Sequence, residues 1–223
     1  MTDAARPREP HWRQPYMKAA AGETLRPGGF MLTDRAAELA GLAPGARVLD
    51  TGCGTGATVR RLRSRFGVFA VGADADMGQL AAAREKSLPV LCADGERLAV
   101  ASGSMDMVFC ECVLSLLPHS RKALMEFLRV LRSGGYLALS DLYALSGASC
   151  GSGQSCGCAQ GAFGAGLLED MVREAGFEIV VREDHSRLLK ELAARIVLAG
   201  GSPCGTPSGY VFILARKKDD RHA

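Results

Sequence analysis

Apolar residues in this chain fall into short runs bounded by glycine and acidic residues, and these runs alternate with stretches of helical period. The first run, Ala46-Arg47-Val48-Leu49, leads straight into Asp50-Thr51-Gly52-Cys53-Gly54-Thr55-Gly56. That order reads as a strand entering a glycine-rich turn. Behind the turn, residues 57–66 carry apolar side chains at Val59, Leu62 and Phe66, a helical spacing. Val68 to Asp74 is a second β-rich run that ends in an acid. Residues 34–42 and 167–177 read as helices and 176–183 as a strand. Residues 184–199 read as an amphipathic helix, with apolar positions at 188, 189, 192, 196 and 199. After the glycine- and proline-rich stretch 200–209, Tyr210 to Ala215 reads as a final strand. Strand, glycine turn and helix form the opening unit of a doubly wound α/β fold.

Alternating glycines let the backbone take positive φ and remove the Cβ atoms that would hold a flat ligand away from the main chain. The pattern Gly52-x-Gly54-x-x-Ala57 also satisfies a dinucleotide-binding fingerprint, in which a helix N-terminus faces a pyrophosphate. Asp50 tips the balance. A carboxylate at the strand end repels a pyrophosphate and suits a ligand with a positive charge or a free amino group. S-adenosylmethionine (SAM) carries a sulfonium and an α-amino group and has no phosphate. Asp74 then falls where a ribose-binding carboxylate belongs.

With these residues in order, the chain resembles the class I SAM-dependent methyltransferases of Rossmann-like fold, and especially their small-molecule branch. The resemblance covers about residues 24–216. Val48 to Gly56 is similar to the family's first motif, and Asp74 to its ribose-binding acid. Residues 89–98, with Asp94 and Gly95, resemble the third strand and the acid that meets the adenine amino group. Residues 105–119 resemble strand four and the turn beneath the methionine end of SAM, and residues 128–141 the helix, glycine turn and fifth strand. The resemblance implies a single-domain, mostly parallel seven-stranded sheet with an antiparallel last strand. It implies that Asp50, Gly52, Cys53, Gly54 and Gly56 hold the methionine end and that Asp74 and Ala75 meet the ribose. Asp94 and Gly95 meet the adenine, and Glu111 and Cys112 line the floor beneath the sulfonium. The helix between strands six and seven departs from the common plan, and it suits either a cap on the acceptor pocket or a dimer face.

At 223 residues, 48% hydrophobic and 23% charged, the chain fits one globular domain. The expected division is an N-terminal extension over 1–23, partly flexible, a SAM-binding domain over 24–216, and a charged tail over 217–223. Within the domain, 145–165 is a Cys/Gly/Ser-rich loop. A net charge of +3 is too small and scattered to argue for nucleic acid. No apolar run approaches the length of a membrane span, and no secretory pattern opens the chain. The expected partner is a small-molecule acceptor, with no nucleic acid and no membrane, in the cytoplasm. Monomer and homodimer both stay open.

Eight cysteines form no single group. Cys92, Cys110 and Cys112 fall in or beside strands, where buried cysteine packs as a small hydrophobe. Cys150, Cys156 and Cys158 share the loop after strand five, at the sheet edge where ligands of open α/β folds bind. Three thiols there suit a soft ion or metalloid, a reversible disulfide, or no chemistry at all. Their C-x5-C-x-C spacing fits zinc poorly, so no metal site is expected. Residues 158–177 also resemble the segment of arsenite methyltransferases that carries an arsenic-binding cysteine. Only Cys158 matches, because Thr58-Val59 stands where those enzymes have another cysteine.

Arg26-Pro27-Gly28-Gly29 is turn chemistry ahead of the first helix. In related enzymes this segment is a lid, so Arg26 and Gly29 are candidate acceptor contacts. His119 and His185 are candidate general bases, although a soft nucleophile such as a thiolate needs none. The expected reaction is direct displacement of the SAM methyl group onto a small acceptor, a thiol or a metalloid such as arsenite among them, leaving S-adenosylhomocysteine. Two alternatives stay open: a non-catalytic or redox-sensing SAM-binding protein that works through Cys150, Cys156 and Cys158, and an NAD-dependent oxidoreductase.

Overall fold

The computed structural model describes residues 11–145, 162–203 and 208–219. Seven strands form one sheet: β1 (Arg47–Thr51), β2 (Phe69–Asp74), β3 (Val90–Cys92), β4 (Met105–Glu111), β5 (Leu131–Ala144), β6 (Phe177–Asp184) and β7 (Ser208–Lys217). Their spatial order is β3-β2-β1-β4-β5-β7-β6. The pairings among β1 to β5 are parallel, and β7 runs antiparallel to both its neighbours. The order reverses between β1 and β4, and that switch point opens a crevice at the carboxyl ends of the strands. Seven helices complete the described chain: α1 (Pro15–Ala21), α2 (Met31–Leu39), α3 (Ala57–Phe66), α4 (Met77–Glu85), α5 (Ser120–Val130), α6 (Leu167–Glu174) and α7 (Ser186–Leu198).

Period-2 alternation sorts the central strands between two cores. Met107 and Phe109 of β4, with Tyr210, Phe212 and Leu214 of β7, meet α2, α3 and α4 on one face. Their neighbours Val108, Cys110, Val211, Ile213 and Ala215 meet α5 and α6 on the other. Because both faces are covered, β7 reads in sequence as an unbroken apolar run. Each fully buried aromatic or aliphatic side chain here contributes about 1.5–3 kcal/mol.

Residues 11–24, most of them within the expected N-terminal extension, are a 3-10 turn, α1 and a second 3-10 turn. Pro15 at the first position of α1 sets its φ for the helix. Met17 and Ala20 are then buried against Leu192 and Ile196 of α7, in a small third core apart from the two sheet faces. Tyr16 lies against Gly201, where a Cβ would come within 2.5 Å of its ring. The helix expected from Asp34 begins at Met31, directly after Gly28 and Gly29, both at positive φ. Among the described residues, no helix is long and apolar enough to cross a membrane.

Candidate functional site

The crevice at the switch point is a cavity of about 560 Å³, within the range of small-molecule and cofactor sites. Five neighbouring strands each bring an acid to its edge. Taken in sheet order these are Asp94 just after β3, Asp74 ending β2, Asp50 in β1, Glu111 ending β4 and Asp141 in β5, and all five line the cavity.

The glycine turn is stitched to β2. The backbone N–H groups of Gly52 and Cys53 donate to the Ala73 carbonyl at 2.7 and 3.1 Å, and Gly54 N–H donates to Asp74 Oδ2 at 2.8 Å. Asp74 Oδ1 accepts from the backbone of Asp76 at 2.8 Å, so each oxygen keeps a further lone pair for a ligand. Gly52, at φ +68°, stands where a Cβ would fall 2.3 Å from Val113. Asp94 caps a tight turn, accepting from Glu96 N–H at 3.0 Å. Cys53, Gly54, Ala75 and Gly95 also line the cavity.

Asp50 is 3% exposed, yet among the described residues no hydrogen bond or ion pair reaches its carboxylate. Burial drives its pKa well up and the nearby Glu111 adds to this, against the pull of Arg26. Its carboxylate instead lines the cavity, where a ligand ammonium would pair with it.

Arg26 and Glu111 form a buried ion pair at 2.9 Å. The Arg26 guanidinium also donates to the Gly29 carbonyl at 3.1 Å, to Thr33 Oγ1 at 2.6 Å and to Thr58 Oγ1 at 3.1 Å. Thr33 Oγ1 donates to Glu111 at 3.0 Å. Burial raises the Glu111 pKa against the opposing Arg26 charge. Leu25 and Cys112, each next to one partner, are non-glycine residues at positive φ, 52° and 58°. Such backbone is held only where its surroundings over-determine it. Cys112 Sγ lies 3.4 Å from Tyr210 Oη, which donates to Ser140 Oγ at 2.9 Å. Burial pushes the Cys112 thiol up, so it is not a thiolate at neutral pH.

Several expected placements change. Gly56 does not line the cavity. As the N-cap of α3 it faces Leu88, 2.5 Å from where its Cβ would stand, so this glycine serves packing. Gly29 does not line the cavity either, and instead supplies the carbonyl that orients Arg26. Glu111 does line it, with its carboxylate committed to Arg26 and Thr33 rather than left free beneath a sulfonium. Neither histidine reaches the cavity. His119 is 72% exposed and pairs through Nδ1 with Glu96 at 2.9 Å, while His185 Nε2 pairs with Glu183 at 2.9 Å. Cys150, Cys156, Cys158 and Cys204 lie outside the described residues.

Sequence reasoning missed three contributions. Asp141 accepts from Ser115 Oγ at 2.6 Å and from the backbone of Ser115 at 2.9 Å, which ties the turn after β4 to β5. Thr33 and Thr58 complete the Arg26 cage. The roof comes from Trp12 and Met17 at the N-terminal end and from Leu189, Leu192 and Ile196 of α7. The acid at a strand end was the available signal for Asp141, whereas the roof gave none. Among the described residues, no group of three or more His, Cys, Asp or Glu side chains is arranged to hold a metal.

Residues 49–139 match the family described as methyltransferase domain. Demethylmenaquinone methyltransferase of Corynebacterium urealyticum is 38% identical to this chain over 45% of it and 43% of the relative. Malonyl-[acyl-carrier protein] O-methyltransferase of Laribacter hongkongensis is 40% identical over 44% of this chain and 37% of the relative. The chain thus spans less than half the length of these curated relatives. In structure it is similar to the [4+2]-cyclase SpnF, with a TM-score of 0.70 and 25% identity, over 84% of this chain and 80% of that one. The fold is shared with a Haemonchus contortus phosphoethanolamine N-methyltransferase in complex with SAM, with a TM-score of 0.77 and 19% identity, over 92% of this chain and 56% of that one.

Proposed function

We propose that this chain, whose residues 49–139 match the methyltransferase domain, is a class I SAM-dependent methyltransferase that binds SAM in the switch-point crevice and transfers its methyl group to a small-molecule acceptor. The observation that carries the reading is Asp50, a buried carboxylate that opens into the cavity without a partner among the described residues, beside a stitched glycine turn. The residues fit the donor. Asp50 takes the amino group, the free lone pairs of Asp74 the ribose hydroxyls, and Asp94 with Gly95 the adenine edge.

SAM supplies an electrophilic methyl group on a sulfonium. The protein supplies alignment and exclusion of water. Gly52 admits close approach of the ligand to the main chain, Asp141 fixes the turn after β4 through Ser115, and the roof formed by the N-terminal segment and α7 closes the space above. Among the described residues no imidazole lines the cavity, so the site suits an acceptor that attacks without a strong base. The loop with Cys150, Cys156 and Cys158 remains a proposed contributor to acceptor binding.

The test is ligand-dependent melting. S-adenosylhomocysteine and SAM should raise Tm, and NADH should not. Asp50→Asn should weaken SAM binding about 10- to 150-fold, the loss of one charge-assisted hydrogen bond, without lowering the melting temperature of the free protein. Stabilisation by NADH alone would sink the reading.

A further inference from the structure

We propose that the acceptor is a neutral, largely apolar molecule held under the roof that the N-terminal segment and α7 form. The proposal rests on the SAM-binding reading and adds the acceptor's chemical class.

The roof contributes Trp12, Met17, Leu189, Leu192 and Ile196 to the cavity wall, all of them apolar or aromatic. Charge accounting excludes the main alternatives. An anionic acceptor needs a desolvated cation with free donors, and the cavity is lined by two cations among the described residues, Arg26 and Lys190. Arg26 is spent on Glu111, Thr33, Thr58 and the Gly29 carbonyl. Lys190 is exposed, so its ammonium stays in water. A cationic acceptor needs a free buried carboxylate. Glu111 is paired, Asp141 already accepts from Ser115 Oγ and from the backbone N–H groups of Ser115 and Leu142, Asp76 is paired with Arg13, and Asp50, Asp74 and Asp94 are assigned to the donor. Glu23, the acid of the N-terminal segment at the cavity, is exposed and paired with Arg60. What remains for the acceptor among the described residues is mostly apolar surface, which rewards burial of hydrocarbon in proportion to its area.

The experiment is titration calorimetry on the full chain saturated with S-adenosylhomocysteine, using 2-naphthol and octanethiol as neutral apolar probes and phosphoethanolamine as the charged one. At least one apolar probe should bind, and phosphoethanolamine should not. Trp12→Ala and Leu189→Gln, both at partly buried positions, should each weaken the apolar probe about tenfold while S-adenosylhomocysteine binds within twofold of wild type. Tighter binding of phosphoethanolamine, no binding by either apolar probe, or indifference of both variants overturns the proposal while leaving the cofactor reading intact. Failure of S-adenosylhomocysteine itself to bind overturns the cofactor reading instead.

Discussion

Removing Arg26 should harm this protein far more than neutralising its partner. The pair is buried, with side chains 7% and 3% exposed and 2.9 Å between them, so solvent screening does little. The site holds two buried carboxylates, Asp50 and Glu111, around one guanidinium. Arg26→Met leaves both negative charges uncompensated and removes the donor that Thr33 and Thr58 accept from, and breaking a buried pair in this way costs about 3–5 kcal/mol. Glu111→Gln keeps the volume and a hydrogen-bond acceptor for Thr33, and it leaves Arg26 beside Asp50, one positive charge to one negative. Its cost should be about 1 kcal/mol, that of an ordinary hydrogen bond. Urea unfolding at pH 7.5 measures both. For a chain of this size Arg26→Met should also lower Tm by about 6–20 °C. The double variant should cost less than the two singles combined, because a neutral amide in place of the Glu111 carboxylate no longer needs the guanidinium. Equal costs for Arg26→Met and Glu111→Gln, or a larger one for Glu111→Gln, would refute the charge accounting.

Other outcomes are equally specific. Gly52→Ala forces a Cβ to 2.3 Å from Val113 at φ +68°; the left-handed backbone alone costs about 1–2 kcal/mol, and adding Val113→Ala should recover only the steric part in urea unfolding. His119→Ala and His185→Ala should leave methyl transfer within about twofold, since neither ring reaches the cavity; a loss of about 100-fold in either would give that imidazole a catalytic part its position argues against. Asp50, with its pKa raised by burial and by Glu111, binds a proton more tightly folded than unfolded. Its contribution to stability is therefore fully present below the ordinary carboxylate range and lost as pH rises from there through its raised folded pKa, and Asp50→Asn should remove that slope from stability measured as a function of pH. Glu183 runs the opposite way: the Arg35 guanidinium holds it down at about 2, so its contribution is present above the ordinary carboxylate range and lost as pH falls toward 2, a loss that Glu183→Gln should abolish.

Legibility in the sequence follows how local each determinant is. Asp50, Asp74 and Asp94 are readable because a strand's last residues face the crevice whatever else the chain does, and the same rule reaches Asp141. Gly56 is misplaced by its pattern because a glycine marks where a Cβ is missing, and only the approach of Leu88 shows that the space is filled by protein. Arg26 reads in sequence as a free cation, since nothing near it announces Glu111, Thr33 and Thr58 as a cage. The roof is the extreme case. α1 buries only Met17 and Ala20, too few to show a period, and their partners Leu192 and Ile196 lie at the other end of the chain. The same boundary runs through the likeness to other proteins. The matched residues 49–139 carry the sheet from β1 into β5, with four of the five acids, and omit Arg26, α1, α7 and β7. The cavity wall with four of the five acids thus lies within the residues that match the methyltransferase domain, and the proposed acceptor roof is built from segments that match leaves out, so acceptor chemistry has to be read from the roof.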